Sequence, residues 1–595
     1  MDDSELLSNL RSRTDVRLAC FGLMAVLAVY LGFLGLSVPQ AESLIKYGAY
    51  YVLLFTFVAW VWSLVRLWRM RKPEEACYSR REKIGVALLV ILFTGVSIAH
   101  ENFRSKILND EFVLQSTAFN MHFFRESVAM ARGYEVLGTF LSTDTFLDKR
   151  PNFYPFMVSL VHDLTGYRVN NAFYLNSALM AATLALAYAV GRRLSDWKGG
   201  ALAVTLLGSL PVFALNATGS GMEMVNLTML LSAVLLGAKY LDSPDGAHLS
   251  AFLLAAVLLA QCRYESVLYV VPAAGLVLTG WYRNRRITLS WTAVGVPLLL
   301  IPVALQNKVL SNSPALWEMK KNQTSRFGLE HVAGNFKAAV NFLFSFDQHQ
   351  ANSLILSVIG LAGLIWSAAG LVFLWKRRAS MGSLQLAWLF FAFGVIANTV
   401  LLFFYFWSSF MDPMATRFCL PLYLLMVFVG VMFADWLDSR GPATGLFLLA
   451  TVVCFFGFSV PKQSLHFYSR LGIDEIEWER RYIASLPPAQ RIILANNSTI
   501  VWLLDKTPSI LLNRARLVAD RLHYQLGTSN FQEILVLQAL RPMTPEGDHD
   551  IIPEDRLPGT YHLETLVEKR FGTKIARISR LVSVDLDNKP THEKQ

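Results

Sequence analysis

Charge is what this chain has least of. Asp, Glu, Lys and Arg make up 16% of its 595 residues, where a soluble domain carries about 25%. That balance excludes an ordinary soluble enzyme and a solvated, disordered chain. Cysteine is equally sparse: Cys20, Cys77, Cys262, Cys419 and Cys454 are the full set, none lies beyond residue 460, and no two form a CxxC pair. Neither a disulfide framework nor a cysteine metal site is expected from that spacing. Internal repeats, low-complexity tracts and heptad arrays are also lacking, which leaves no basis for a solenoid or a coiled coil.

What the chain does have is apolar sequence. Hydrophobic residues make up 54% and aromatics 12%, and a polytopic helical membrane protein fits. A helix needs about 20 apolar residues to cross the hydrocarbon core. Runs near 17–38, 47–68, 84–99, 171–191, 198–217, 222–239, 248–262, 264–281, 288–306, 353–375, 385–407, 418–437 and 442–460 suggest thirteen spans. The first run reads as a membrane anchor rather than a signal peptide, since no small-residue cleavage site follows it.

The net charge of +10 is mainly orientation information. Arg66, Arg69, Arg71 and Lys72, Arg192 and Arg193, Arg283, Arg285 and Arg286, and Lys376, Arg377 and Arg378 sit in short loops beside apolar runs. That is the positive-inside pattern, so no nucleic-acid partner is expected. With a cytoplasmic N-terminus, alternation places 100–170, 307–352 and 461–595 outside. The apolar stretch from Phe153 to Leu164 is too short to span and reads as an interfacial helix. The tail at 461–595 loses the long apolar runs, and its β-rich segments Arg491–Ala495 and Glu533–Leu537 alternate with helical ones. It reads as a small α/β domain outside the cytoplasm. The chain thus divides into 1–83, two additional N-terminal spans; 84–460, a transmembrane catalytic module; and 461–595. The loop at 307–352, with Trp317, Lys320, Lys321 and Arg326, reads as a lid.

Chemistry concentrates on the outer face. Asp110 and Glu111 stand just after the third span, before an amphipathic stretch holding His122. They either cap a helix N-terminus or supply a general base at the membrane surface. Lys149 and Arg150 lead into the interfacial helix with Pro151, Tyr154 and Pro155; basic groups there suit a phosphate headgroup or merely snorkel. Arg263, Tyr264 and Glu265 interrupt an apolar stretch, where charge is costly and usually functional. Arg417 opens Arg-Phe-Cys-Leu-Pro-Leu at the outer end of a span.

This order of elements is an acidic pair after an early span, Arg150-Pro151 before an aromatic short helix, the basic turn Gly191-Arg192-Arg193, Arg-x-Glu at 263–265, Arg417-Phe418 and a soluble tail. It resembles the GT-C membrane glycosyltransferases, in the branch of the aminoarabinose transferase and the protein O-mannosyltransferases. The resemblance runs over residues 84–540. It implies an inverting transfer of sugar from a polyprenyl-phosphate carrier to an acceptor hydroxyl of a glycan, lipid or protein, among the membrane lipids of a bacterial inner membrane. It implies Asp110, with Glu111, as base, and Lys149, Arg150, Arg263 and Arg417 around the donor phosphate. His122, Tyr154, Tyr264 and Glu265 are candidate substrate contacts. No nucleotide-sugar site is required; a divalent metal ion is the one cofactor the resemblance leaves open, since some relatives bind one, although no ligand spacing here demands it.

Two features depart from the family. Two spans precede the helix that matches the family's first, and Asn152-Phe153-Tyr154 separates the prolines that the family often pairs. The alternatives are a polymerase or ligase of surface polysaccharide, and a lipid or solute transporter. A transporter would show two related halves with interrupted spans, and no such symmetry is visible.

Overall fold

The computed structural model describes residues 3–70, 78–312, 325–376, 381–463, 471–496, 499–528, 531–543 and 549–586. Trp317, Lys320 and Lys321 of the expected lid lie outside them; Arg326 is within. The helices are α1 Asp3–Val29, α2 Val38–Met70, α3 Arg80–His100, α4 Leu108–Phe124, α5 Phe153–Thr165, α6 Asn171–Leu194, α7 Trp197–Gly208, α8 Pro211–Ala217 and α9 Glu223–Asp242. They continue with α10 Gly246–Ala260, α11 Val270–Asn284, α12 Trp291–Leu299, α13 Ile301–Ser311, α14 Leu329–Leu343, α15 Leu354–Lys376, α16 Ser383–Phe404, α17 Leu420–Asp438 and α18 Ala443–Cys454.

Local chemistry sets many of the boundaries. Ser79, Asp196, Asp245 and Ser290 accept backbone N–H bonds as N-caps of α3, α7, α10 and α12, satisfying donors that a helix start leaves open. Pro211, which has no N–H to give the preceding turn, marks a 73° bend between α7 and α8. Pro297 and Pro302 likewise flank the break between α12 and α13. Among the described residues, nine helical segments are long and apolar enough to cross a membrane, ten if α7 and α8 are one bent span. The expected spans at 248–262 and 264–281 fall on α10, which is 15 residues long, and on a 3-10 turn followed by the 15-residue α11. The expected interfacial stretch is a 13-residue helix, α5, apolar on its buried side.

The chain forms two compact units. The first contains residues 1–107, 125–127 and 149–467. At its centre α9 and α17 are buried nearly all round, as expected of helices without a polar face. Helices α15 and α17 approach closely because Gly360, Gly363 and Gly430 lack side chains: a Cβ on Gly363 would stand 2.6 Å from the Val429 carbonyl. Small residues permit such contacts where lipid supplies no hydrophobic drive between helices. At one end of α3, Glu82 accepts bonds from Arg192 and, at 2.8 Å, from the Tyr188 hydroxyl, fixing α3 to α6.

The second unit contains 108–124, 128–148 and 468–595. Strands β1 Ala129–Val136 and β2 Thr139–Phe146 form a hairpin. Its turn, Leu137-Gly138, has positive φ at both positions, the geometry that matches strand twist and that glycine adopts without strain. The hairpin packs on α4, where Met130 N donates to Ser116 Oγ at 2.7 Å and Asn120 Nδ2 to the Val128 carbonyl at 2.8 Å. The rest is a sheet of order β4-β3-β5-β8-β7, with β6 beside β5. These strands are β3 Arg491–Leu494, β4 Ser509–Ile510, β5 Glu533–Pro542, β6 His549–Ile551, β7 Tyr561–Phe571 and β8 Lys574–Val584. Both β-rich runs expected from sequence are strands, joined in parallel. Ile492, Leu494, Ile534 and Val536 pack on one face, and Ile493, Leu535 and Leu537 on the other, as a period of two requires. Trp502 belongs to that second core, whereas Tyr524 is exposed.

Within this unit Glu479 is buried on the helix Leu471–Ser485. Burial, with repulsion from Glu475 and Asp555, pushes its carboxyl well above the ordinary carboxylate range. The folded state therefore holds a proton that the unfolded state releases, and stability falls as pH rises from the ordinary carboxylate value through the raised one. Glu479→Gln is expected to leave the melting temperature of the detergent-solubilised chain unchanged near pH 4 and to raise it by about 3 °C or more at pH 7.5, measured by scanning calorimetry.

Candidate functional site

The first unit gathers charge where apolar helices are interrupted. Between α10 and α11 the chain turns through Gln261, Cys262 and Arg263 into a 3-10 turn, Tyr264–Tyr269. Arg263 is 3% exposed, and its guanidinium donates to Glu265 at 2.5 Å and to Glu223 at 2.6 Å. Arg417 opens the 3-10 turn Thr416–Cys419 ahead of α17. It is also 3% exposed and stands 3.1 Å from the same Glu223 oxygen. The Phe418 ring is 5.2 Å from Arg263 and 5.4 Å from Arg417, within the range of a cation–π contact with both. Glu223 itself sits in the first turn of α9, where the helix dipole favours a negative charge. Two arginines and two glutamates thus form one buried, compensated cluster.

Glu223 was not among the residues that the sequence pointed to. The signal was available, since it is a lone carboxylate at the end of an apolar run, and such charge is usually functional. Its role depends on a partner 40 positions away, which spacing does not reveal.

A second network holds the start of α5. Gln306 of α13 donates to the carbonyls of Arg150, at 2.7 Å, and Lys149, at 3.3 Å. Phe153 N donates to the Gln261 carbonyl at 3.4 Å, and Gln261 Nε2 to the Leu299 carbonyl at 3.4 Å. These bonds satisfy backbone groups where no helix does so, and they gather the segments 149–153, 261–263 and 299–306. The space among them is a pocket lined by Lys149, Pro151, Asn152, Arg263, Tyr264 and Gln306, with about 10 Å³ free. That is little enclosed space, about that of one water molecule, at a pocket that is partly open. Arg150 is buried nearby in sequence, 6% exposed.

The other candidates are placed differently. Tyr154 is fully buried and its hydroxyl donates to the Ala172 carbonyl of α6 at 3.4 Å. Asp110 and Glu111 lie in the second unit, both buried, in the first turn of α4. His122 is on the same helix but twelve residues later, about 18 Å along the axis, and its ring packs on Phe123 at 4.4 Å. Within that unit a cavity of about 220 Å³ opens among Asn109, Phe112, Met130, Phe146, Thr499 and Arg514, so α4 presents the neighbours of its acidic pair to a solvent-sized space. Among the described residues, no three His, Cys, Asp or Glu side chains are grouped as a metal cage needs, and a divalent ion has no ready-made ligand set there.

Removing one partner from a buried ion pair typically costs about 3–5 kcal/mol because the other charge stays desolvated. Glu223→Ala is expected to lower stability by about that much, read from thermal unfolding in detergent. Adding Arg417→Met is expected to restore part of the loss; strict additivity in that double-mutant cycle would contradict the coupling.

Residues 149–306 match a family model described as dolichyl-phosphate-mannose-protein mannosyltransferase. A comparison with curated protein sequences finds no significant match. Among solved structures, ArnT from Cupriavidus metallidurans bound to undecaprenyl phosphate is 13% identical, with 83% of this chain and 97% of that chain covered and a TM-score of 0.50. The oligosaccharyltransferase of Archaeoglobus fulgidus, in complex with zinc and sulfate, is 10% identical over 78% of this chain and 72% of that chain, with a TM-score of 0.41. The arabinosyltransferase EmbB from Mycobacterium smegmatis is 12% identical over 90% and 66%, with a TM-score of 0.32. The fold likeness to ArnT and the match at 149–306 agree with the resemblance read from the sequence: this is a multi-pass membrane protein with a GT-C-like fold.

Proposed function

We propose that the chain is an inverting glycosyltransferase that moves a sugar from a polyprenyl-phosphate carrier to an acceptor hydroxyl at the outer face of a bacterial inner membrane. The N-terminus is then cytoplasmic and the C-terminal sheet domain external. One observation carries the reading: the family match begins at Lys149 and runs to Gln306, so it contains Lys149, Arg150 and Arg263 and most of the residues that line the pocket beside Lys149 and Arg263. The undecaprenyl phosphate bound by ArnT supports the same class of donor here.

In this reading the acceptor oxygen forms a bond to the anomeric carbon as the bond from that carbon to the phosphate oxygen breaks. The electron pair leaves with the polyprenyl phosphate, and the hydroxyl proton passes to Asp110, with Glu111 beside it. Cations set in place before the reaction stabilise the negative charge that gathers on the leaving phosphate, and they do so best away from water. Arginine adds planar, two-pronged hydrogen bonding to phosphate oxygens. Lys149 and Arg263 line the pocket and are assigned to the donor phosphate together with Arg150 and Arg417, while Glu223 and Glu265 hold Arg263 and Arg417 in place. Tyr264 lines the pocket and fits a contact to the donor, while Tyr154 and Glu265 act as positioning groups. The cavity beside Asn109 and Phe112 supports acceptor binding near the acidic pair.

Asp110→Asn in membranes supplied with labelled polyprenyl-phosphate sugars is expected to reduce transfer about 10²–10⁴-fold, the usual weight of a general base. Lys149→Ala with Arg150→Ala is expected to weaken polyprenyl phosphate binding by at least about tenfold. Full transfer by Asp110→Asn removes that residue as base. No turnover of any such donor by the unaltered chain overturns the enzyme reading.

A further inference from the structure

The two N-terminal helices, which have no counterpart in the resemblance, touch both walls of the pocket described above. The wall on one side is α13. Helix α1 and its π-helical end, Tyr30–Leu34, run parallel to α12 and α13 at a constant offset. Arg17 donates to the Leu289 carbonyl at 2.7 Å, and 272 positions separate the two. Lys308 Nζ donates to the Leu36 carbonyl at the same separation of 272, and to the Phe33 carbonyl at 3.1 Å. Gly32 keeps the same offset near the second of these ends: a Cβ there would stand 2.8 Å from that of Ala304. Nineteen residues of matched rise are about 28 Å, close to the thickness of a hydrocarbon core, so the two rods are locked along a full membrane crossing.

The wall on the other side, Pro151 and Asn152, leads directly into α5, and α2 holds that helix. Tyr50 meets Phe156 edge-on at 5.5 Å, and Phe57 meets Phe153 at 6.4 Å and Phe156 at 6.0 Å. Arg125 lies over the Tyr50 ring at 5.1 Å and pairs with Asp163 of α5 at 2.8 Å. Lys46 pairs with Glu126 at 3.2 Å, and its carbonyl accepts from Ser127 N at 2.8 Å. Helix α2 also packs directly on α13. The pocket lies between Pro151 and Asn152 on one side and Pro302 and Gln306 on the other, so the spacing of these walls sets the room available to a ligand.

We infer that α1 and α2 are a brace that sets the gap between α5 and α13, and thereby the affinity of the pocket for a phosphate on a long apolar chain. Tyr50, Phe57 and Lys308 are positioning residues: they touch neither the pocket nor its ligand. Aromatic contacts of this kind carry geometry as well as burial, and a side chain that meets a helix from behind moves the residues at its front. The ligand class rests on the proposed function; the brace rests on the contacts alone.

The test uses the full chain in lipid nanodiscs, with Tyr50→Ala, Phe57→Ala and Lys308→Met, and Tyr50→Phe as the conservative control. Two quantities are measured: hydrogen exchange in 149–165 and 301–311, and binding of a polyprenyl phosphate. Lys308→Met leaves the apolar core untouched and serves if the aromatic variants fail to fold. The expected result is exchange about tenfold faster in both segments and polyprenyl phosphate bound about tenfold more weakly, with Tyr50→Phe close to the unaltered chain. In turnover, KM for the donor rises while kcat holds, as loss of uniform binding requires. Folded variants with unchanged exchange in both segments overturn the brace. So does faster exchange with undiminished binding. Faster exchange in a chain whose unaltered form binds no polyprenyl phosphate sustains the brace and instead sinks the reading of the pocket.

Discussion

The buried carboxylate of Glu223 is the interaction on which the candidate donor region depends. Two guanidiniums in an apolar bundle carry a desolvation penalty that only close, well-placed anions offset. Glu223 faces both Arg263 and Arg417, and so joins the start of α9, the turn after α10 and the turn before α17. Glu265 completes the balance, and Ser266 donates to Asn226 one turn into α9 at 2.7 Å. The three segments are distant in sequence and none is a regular helix throughout. They can be irregular at that depth because their polar groups find protein partners.

Around this cluster the backbone is handled by glutamines. Gln261 and Gln306 take up carbonyls and donors that broken helices leave open, the need that an interruption creates in an apolar setting. The prolines at 151, 297 and 302 make the interruptions, and the glutamines stabilise them. The pocket at Lys149 and Arg263 is therefore a consequence of how the helices are broken. Helix α13 and the helix that follows Asn152, α5, both pack on the N-terminal pair.

Much of the fold was legible in the sequence. The apolar runs gave the helical membrane class, since a crossing length of apolar residues has few other uses. The strands at 491–495 and 533–537 were legible because alternate residues face opposite cores. The short helix after Arg150-Pro151 was legible from its length. The β1–β2 hairpin was not: its residues are mixed in polarity, and its turn depends on the positive φ that Leu137 adopts beside Gly138. Glu223 was not legible either, because a single acid at the end of a span has no local signature until its partners are known.

By itself the sequence determined composition-driven properties: a multi-pass bundle, a polar tail, and a short inventory of charges such as Asp110, Arg150, Arg263 and Arg417 that apolar surroundings make costly. These follow from transfer free energies, which each residue carries with it. Tertiary structure decided which of those charges compensate one another, which carbonyls the glutamines reach, and that the two extra helices lie against both walls of the pocket. Those outcomes depend on groups 38 to 272 positions apart coming within hydrogen-bonding distance, and only the folded packing sets such distances.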